Sequence, residues 1–156
     1  MNFICDNNLG KLVRLLRMAG FDTAEDLSHS YEQMIKQSLE ENRVLITRDS
    51  KLINKINKEK LKISYVKIHS ARADEQMKQV LKECKAEIPF DKLFTRCTLC
   101  NAGIIPIEKE KVKGKIPRHA FEVQEEFWIC PECQHLYWAG THWARITKRF
   151  REISKE

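Results

Sequence analysis

The sequence predicts an α/β protein, a parallel sheet flanked by helices and followed by a small metal-bound module. Three observations predict it. Short apolar strands alternate with amphipathic helices over the first half of the chain. Two of those strands, Phe3-Ile4-Cys5 and Val44-Leu45-Ile46-Thr47, run straight into charged tips, Asp6 and Arg48-Asp49. In the second half, Cys97-Thr98-Leu99-Cys100 and Cys130-Pro131-Glu132-Cys133 are separated by 29 residues.

Composition sets the bounds. A chain of 156 residues can hold one ordinary domain plus a small one, and 42% hydrophobic content excludes a disordered chain. No apolar run is long enough to span a bilayer, and no basic-then-apolar leader precedes the first strand. A cytoplasmic protein with no membrane partner is therefore expected. Six cysteines in that setting are metal ligands or buried thiols rather than disulfides. The net charge of +6 permits a polyanionic partner without demanding one.

The first strand ends on Asp6. Asn7 or Asn8 can then cap a helix with Leu9, Leu12, Val13, Leu16 and Ala19 on one stripe, closed by Gly20. Lys11, Arg14 and Arg17 share a flank of that helix, either a solvated basic edge or a phosphate-binding one. Phe21-Asp22-Thr23 returns as a short second strand, and a polar loop follows. Ser30-x-x-Gln33 is a capping box opening a helix that buries Met34, Ile35, Ser38 and Leu39. The strand 44–47 is continuously apolar, as in a parallel sheet covered on both faces. A helix with Leu52, Ile53 and Ile56 inward follows, then a strand at 63–68 and a helix at 74–84. Cys5 and Cys84 fall on apolar positions and read as core thiols.

In open parallel sheets, ligands bind beyond the carboxyl ends of the strands. Asp6 and Asp49 both occupy that place. Each could instead be a helix N-cap, a favoured use of Asp; the repetition favours a site.

Ile88-Pro89-Phe90 breaks the strand–helix rhythm and serves as the linker. The chain is expected to divide into 1–88 and 94–156. Each Cys-x-x-Cys turns two thiolates towards one ion, and two such turns complete a tetrahedron of sulfurs, the usual ligand set of structural zinc. His135 and His142 are rival ligands that a complete cysteine set makes unnecessary. Residues 106–118 read as a hairpin or exposed loop. Phe127-Trp128-Ile129 and Leu136-Tyr137-Trp138 flank the second turn as strands, their aromatics filling a small core or stacking on unpaired bases. Arg145, Lys148, Arg149 and Arg151 close the chain as a basic helical tail.

Three stretches in order carry a family resemblance: Asp6-x-x-Leu9-Gly10-x-Leu12-x-Arg14-x-Leu16-Arg17-x-x-Gly20-x-Asp22-Thr23, then Arg43 to Asp49, then the cysteine segments with Tyr137-Trp138-x-Gly140-Thr141-His142-Trp143. Together they resemble the Mut-seven C-terminal RNase family, in which a PIN-like nuclease domain is joined to a zinc ribbon. The resemblance implies metal-dependent hydrolysis of RNA, single-stranded or structured. Asp6 and Asp49 carry over as ligands of Mg²⁺ or Mn²⁺, hard ions that take oxygen donors. Arg14, Arg17 and Arg48 are then expected on phosphates, with Arg149 and Arg151 adding RNA contacts from the tail. Tyr31 stands where related proteins carry an acid, so Glu32 is the expected third catalytic carboxylate and Asp26 its reserve. A Glu32 that faces Asp6 and Asp49 favours the enzyme. A Glu32 that faces solvent favours a degenerate module that binds RNA or a protein.

Overall fold

A computed structural model describes residues 1–155. Strands β1 (Asn2–Asp6), β2 (Asp22–Asp26), β3 (Val44–Thr47) and β4 (Tyr65–Lys67) form one parallel sheet in the order β2-β1-β3-β4. Helices α1 (Gly10–Met18), α2 (Tyr31–Glu40) and α3 (Ser50–Lys58) connect them, and α4 (Ala73–Cys84) follows β4. Successive side chains of a strand point to opposite faces, and this sorts the core. Phe3, Cys5, Ile46 and Val66 pack with α1 and α4, whereas Ile4 and Leu45 pack with α2 and α3. The chain leaves β1 towards one edge of the sheet and comes back on the other side to form β3. The carboxyl ends of β1 and β3 thus flank the switch in strand order, where doubly wound sheets place ligands.

Strand β2 runs three residues further than the sequence suggested, through Glu25 and Asp26. It is an edge strand, so its outer side needs no apolar cover and charged residues are tolerated. Ser30 caps α2 through the Gln33 N–H, as the capping box predicts, but Leu39 is exposed rather than inward. Gly20 has φ +92°, and a Cβ there would meet the Lys92 carbonyl oxygen at 2.5 Å. Glycine is needed both to end α1 and to let the linker cross it.

The second half forms a three-stranded antiparallel sheet, β5 (Ile105–Ile107), β6 (Phe127–Ile129) and β7 (Leu136–Trp138). Pro106 is accommodated because β5 lies at the edge. The expected loop at 106–118 instead holds part of β5 and the short helix α5 (Lys109–Val112), and it runs into a second, α6 (Arg118–Val123). Among the described residues no helix is long and apolar enough to cross a membrane.

The basic end of the chain is the helix α7 (Thr141–Ile153). Its apolar stripe, Ile146, Phe150 and Ile153, enters the same cluster as α1 and α4, and Phe150 is fully enclosed. Arg149 sits beside this stripe and donates to Asp74 of α4 at 2.7 Å. The periodicity that separates the two faces is that of any amphipathic helix; the dense positive charge obscures it in the sequence. Phe150→Ala is expected to cost about 3–5 kcal/mol of folding stability, read by denaturant titration. A loss within about 0.5 kcal/mol, as for an ordinary surface change, would mean that α7 is not docked.

Candidate functional site

Asp6 and Asp49 are joined through one hydroxyl. The Thr47 hydroxyl donates to Asp6 Oδ2 at 2.5 Å and accepts the Asp49 N–H at 2.9 Å. Asp6 Oδ2 also takes the Arg48 N–H at 3.1 Å, while Asp6 Oδ1 takes the Asn8 N–H at 3.0 Å. Asp49 Oδ1 caps α3 through the Lys51 N–H at 2.8 Å, and Asp49 Oδ2 accepts from the Tyr31 hydroxyl. Each carboxylate therefore caps a helical turn with one oxygen and keeps the other towards its neighbours. The Tyr31 hydroxyl is the main reason the Asp49 carboxyl lies below its usual range, helped by backbone N–H groups at the start of α3. The same contact raises the Tyr31 phenol.

The third acid does not join them. Glu32 bonds to Ser30 and pairs with Lys55 at 3.6 Å, and its side chain is 74% exposed. Asp26 lies opposite Asp6 in the β1–β2 register, but its Oδ1 is taken up by Ser28. Among the described residues, no three carboxylate or imidazole ligands lie within 4.8 Å of one another. Neighbouring positions on a helix point about 100° apart, so at the start of α2 the residue aimed at the strand ends is Tyr31 and not Glu32.

The four cysteines do converge. Their sulfurs lie within 4.8 Å of one another, with Cys97 to Cys133 at 3.5 Å and Cys100 to Cys130 at 3.3 Å. These separations are far beyond the ~2.05 Å of a disulfide, and the group could hold one metal ion. Both cysteine turns are built alike. Each ends on a left-handed residue, Asn101 at φ +75° and Gln134 at φ +63°. Burial would raise the Cys97 thiol, but the Tyr137 hydroxyl and the N–H groups of Cys100 and Leu99 outweigh it and bring it down to about 6. Such donors favour the thiolate that binds metal. Neither His135 nor His142 belongs to the cluster.

The first cysteine turn is bolted to the parallel sheet. Arg17 turns inward instead of joining Lys11 and Arg14 on an open flank, and is only 4% exposed. Its Nε donates to the Thr23 carbonyl at 2.9 Å, and its Nη1 to those of Thr98 and Leu99 at 3.0 and 2.8 Å. Asn101 adds a two-way clamp on the edge strand, accepting from Thr23 N–H at 2.9 Å and donating to Asp22 at 2.9 Å.

Between this turn, β2 and the strand tips lies a cleft of about 560 Å³ with Lys11, Arg14, Arg48 and Glu25 on its walls. Asp6 and Asp49 lie beside it rather than within it, linked through Arg48. The side chains of Lys11, Arg14 and Arg48 have no partner among the described residues, so three free cations face a single acid. Arg151 is exposed on α7 and equally unpaired among those residues, whereas Arg149 is neutralised by Asp74.

Sequence reasoning did not anticipate Thr47, Glu25 or Asn101 here. In the sequence Thr47 reads only as a β-branched strand residue, and Glu25 falls in the polar loop after Thr23. The available signal for Asn101 is an asparagine directly after the second cysteine of a turn, a residue type that tolerates the left-handed conformation.

A family model described as the Mut7-C RNAse domain matches residues 1–150. No curated protein and no solved structure matches the chain.

Replacing Tyr31 by phenylalanine removes the donor that holds the Asp49 carboxyl down. The Asp49 titration, followed by carboxyl-carbon NMR, is then expected to move up towards the ordinary range. A carboxyl depressed in the folded state stabilises the fold above its unfolded value, and that contribution is lost as pH falls through the folded value. The Tyr31→Phe protein should accordingly lose stability at neutral pH and converge with the parent in acid. An unmoved titration would place the hydroxyl elsewhere.

Proposed function

Since the chain belongs to the Mut7-C RNAse domain family, we propose that it is a metal-dependent ribonuclease. In this reading the parallel sheet is a PIN-like nuclease domain (1–88), and the cysteine module (94–156) is a zinc ribbon that aids RNA binding. The observation that carries it is the Thr47 hydroxyl holding Asp6 and Asp49 together at the switch in strand order. The six cysteines, all free, suit a reducing compartment such as the cytoplasm.

The residues fit their ions chemically. Four thiolates around zinc at ~2.3 Å have sulfurs ~3.8 Å apart; two pairs of the cysteine sulfurs lie at 3.3 and 3.5 Å and all four within 4.8 Å, close to that spacing. The set is closed by protein ligands, so the zinc is structural. Asp6 and Asp49 supply the oxygens that Mg²⁺ or Mn²⁺ requires. When bound there, such an ion provides activation of water and screening of charge on the leaving oxygen. The chain's own residues do the rest. Tyr31 keeps Asp49 ionised; Thr47 and the Arg48 N–H orient Asp6. Lys11, Arg14 and Arg48 take the phosphates of the strand, and Arg151 extends the positive surface. Arg17 acts indirectly by holding Thr98 and Leu99 in the cleft wall.

A second reading has its own support. Glu32 faces Lys55 and solvent, and no third acid joins the pair among the described residues. That arrangement fits a degenerate site on a module that binds RNA without cutting it.

Asp6→Asn and Asp49→Asn separate the readings. Asn caps a helix about as well as Asp but holds a hard cation poorly. For the nuclease, both variants should melt close to the parent while cleavage of labelled RNA with Mg²⁺ or Mn²⁺ falls by orders of magnitude. No cleavage by the parent would leave the binding module ahead, and full activity in both variants would remove Asp6 and Asp49 from the cutting site.

Protein purified without added metal should carry about one zinc per chain by elemental analysis, as a four-cysteine set binds one ion. Removing it should lower the melting of the helical signal as a whole, because two of the three carbonyls that satisfy Arg17 belong to the metal-bound turn. A helical melt indifferent to zinc would uncouple the two halves.

A further inference from the structure

We propose that the groove on the far side of the first cysteine turn binds an unpaired nucleobase of the strand whose phosphates occupy the basic cleft. The proposal rests on the RNA-directed reading above and names a subsite for it. The groove has a volume of about 370 Å³ and is walled by Phe94, His135, Tyr137, Trp138 and Trp143, with Arg14 at its rim. That volume falls in the range of sites that enclose small organic ligands, ~300–1,000 Å³.

The rings differ in what they are free to do. Phe94 stacks on Trp143 at 4.3 Å, and Trp143 on Trp128 at 5.2 Å, so three rings form a braced wall. Tyr137 is tied by its hydroxyl to Cys97 and Thr98. Trp138 is half-buried in the groove and has no ring partner among the described residues. An unstacked indole held on a strand is a platform for a base, since every base offers a π-face.

Position and charge select the occupant. Arg14, Thr98 and Leu99 border both the groove and the basic cleft, so the two cavities share one wall. An RNA strand crossing it would lay phosphates on Lys11, Arg14 and Arg48 and turn a base onto Trp138. An apolar peptide finds rings in the groove but no use for the unpaired cations beside it.

Tryptophan fluorescence tests this, because all three tryptophans, Trp128, Trp138 and Trp143, lie in this module. The zinc-loaded full chain is titrated without Mg²⁺ or Mn²⁺, with single-stranded oligouridylate or with an abasic ribose-phosphate strand of equal length. Oligouridylate should quench the emission and bind roughly tenfold more tightly than the abasic strand, the usual worth of one stacked base. Trp138→Ala should remove that advantage while leaving the salt slope unchanged, and Trp138→Phe should restore most of it. Zinc content and melting of both variants are checked against the parent. Equal affinity for the two strands, or full oligouridylate affinity in a folded Trp138→Ala protein, overturns the proposal. So does displacement of the quench by an apolar peptide alone. Cleavage is scored separately: base-dependent binding without cleavage sustains the subsite and sinks the nuclease. Cleavage with base-independent binding does the reverse.

Discussion

A buried guanidinium is the constraint on which most of this structure depends. Arginine cannot shed its charge in a protein, so an enclosed Arg17 must be met by acceptors or the fold is penalised by several kcal/mol. Burial lowers its pKa, and the nearby Glu25 carboxylate partly restores it. One of its acceptors is the carbonyl of Thr23 in β2, and the other two come from the first cysteine turn. The turn presents them only when folded, which a metal between the sulfurs favours. The sheet and the cysteine module are thereby bound to each other's integrity. Thr98 and Leu99, pinned in this way, form the partition between the basic cleft and the aromatic groove.

At the strand ends, capping and site chemistry turn out to be compatible. A carboxylate has two oxygens and about four acceptor positions. Asp49 spends one oxygen on α3 and offers the other to Tyr31; Asp6 divides itself in the same way between Asn8 and the Thr47–Arg48 side. The local role fixes the rotamer, and a fixed rotamer is what a preorganised site needs. Tyr31 takes the place where an acid was expected and changes its chemistry, from a third negative charge to a donor that steadies the second one.

The last helix makes the two halves share one core. Phe150 and Ile153 of α7 lie in the same cluster as Leu12, Leu16, Val80 and Leu81. Arg149 straddles that seam and is matched by Asp74. A surface that looks uniformly basic along the chain is thus divided in space. Part of its charge is neutralised in the seam, and part, on Lys11, Arg14 and Arg48, is left facing the cleft.

Much of the fold was legible in residue pattern alone. Strand β3 occupies the predicted 44–47, and the alternation of strands and amphipathic helices gave the parallel α/β class, because burial on both faces leaves continuous apolar runs in sequence. The cysteine cluster was legible for a similar reason: Cys-x-x-Cys encodes its own turn, so ligand geometry is local. What only the tertiary structure decided concerns direction between elements. Whether Tyr31 or Glu32 faces Asp49 depends on how α2 is rotated against β3. Whether Arg17 meets solvent or the carbonyls of Thr98 and Leu99 depends on a docking partner about eighty residues away. Single positions on a helix differ by about 100° of rotation, and periodicity identifies a helix's apolar face without saying which neighbour meets its polar flank.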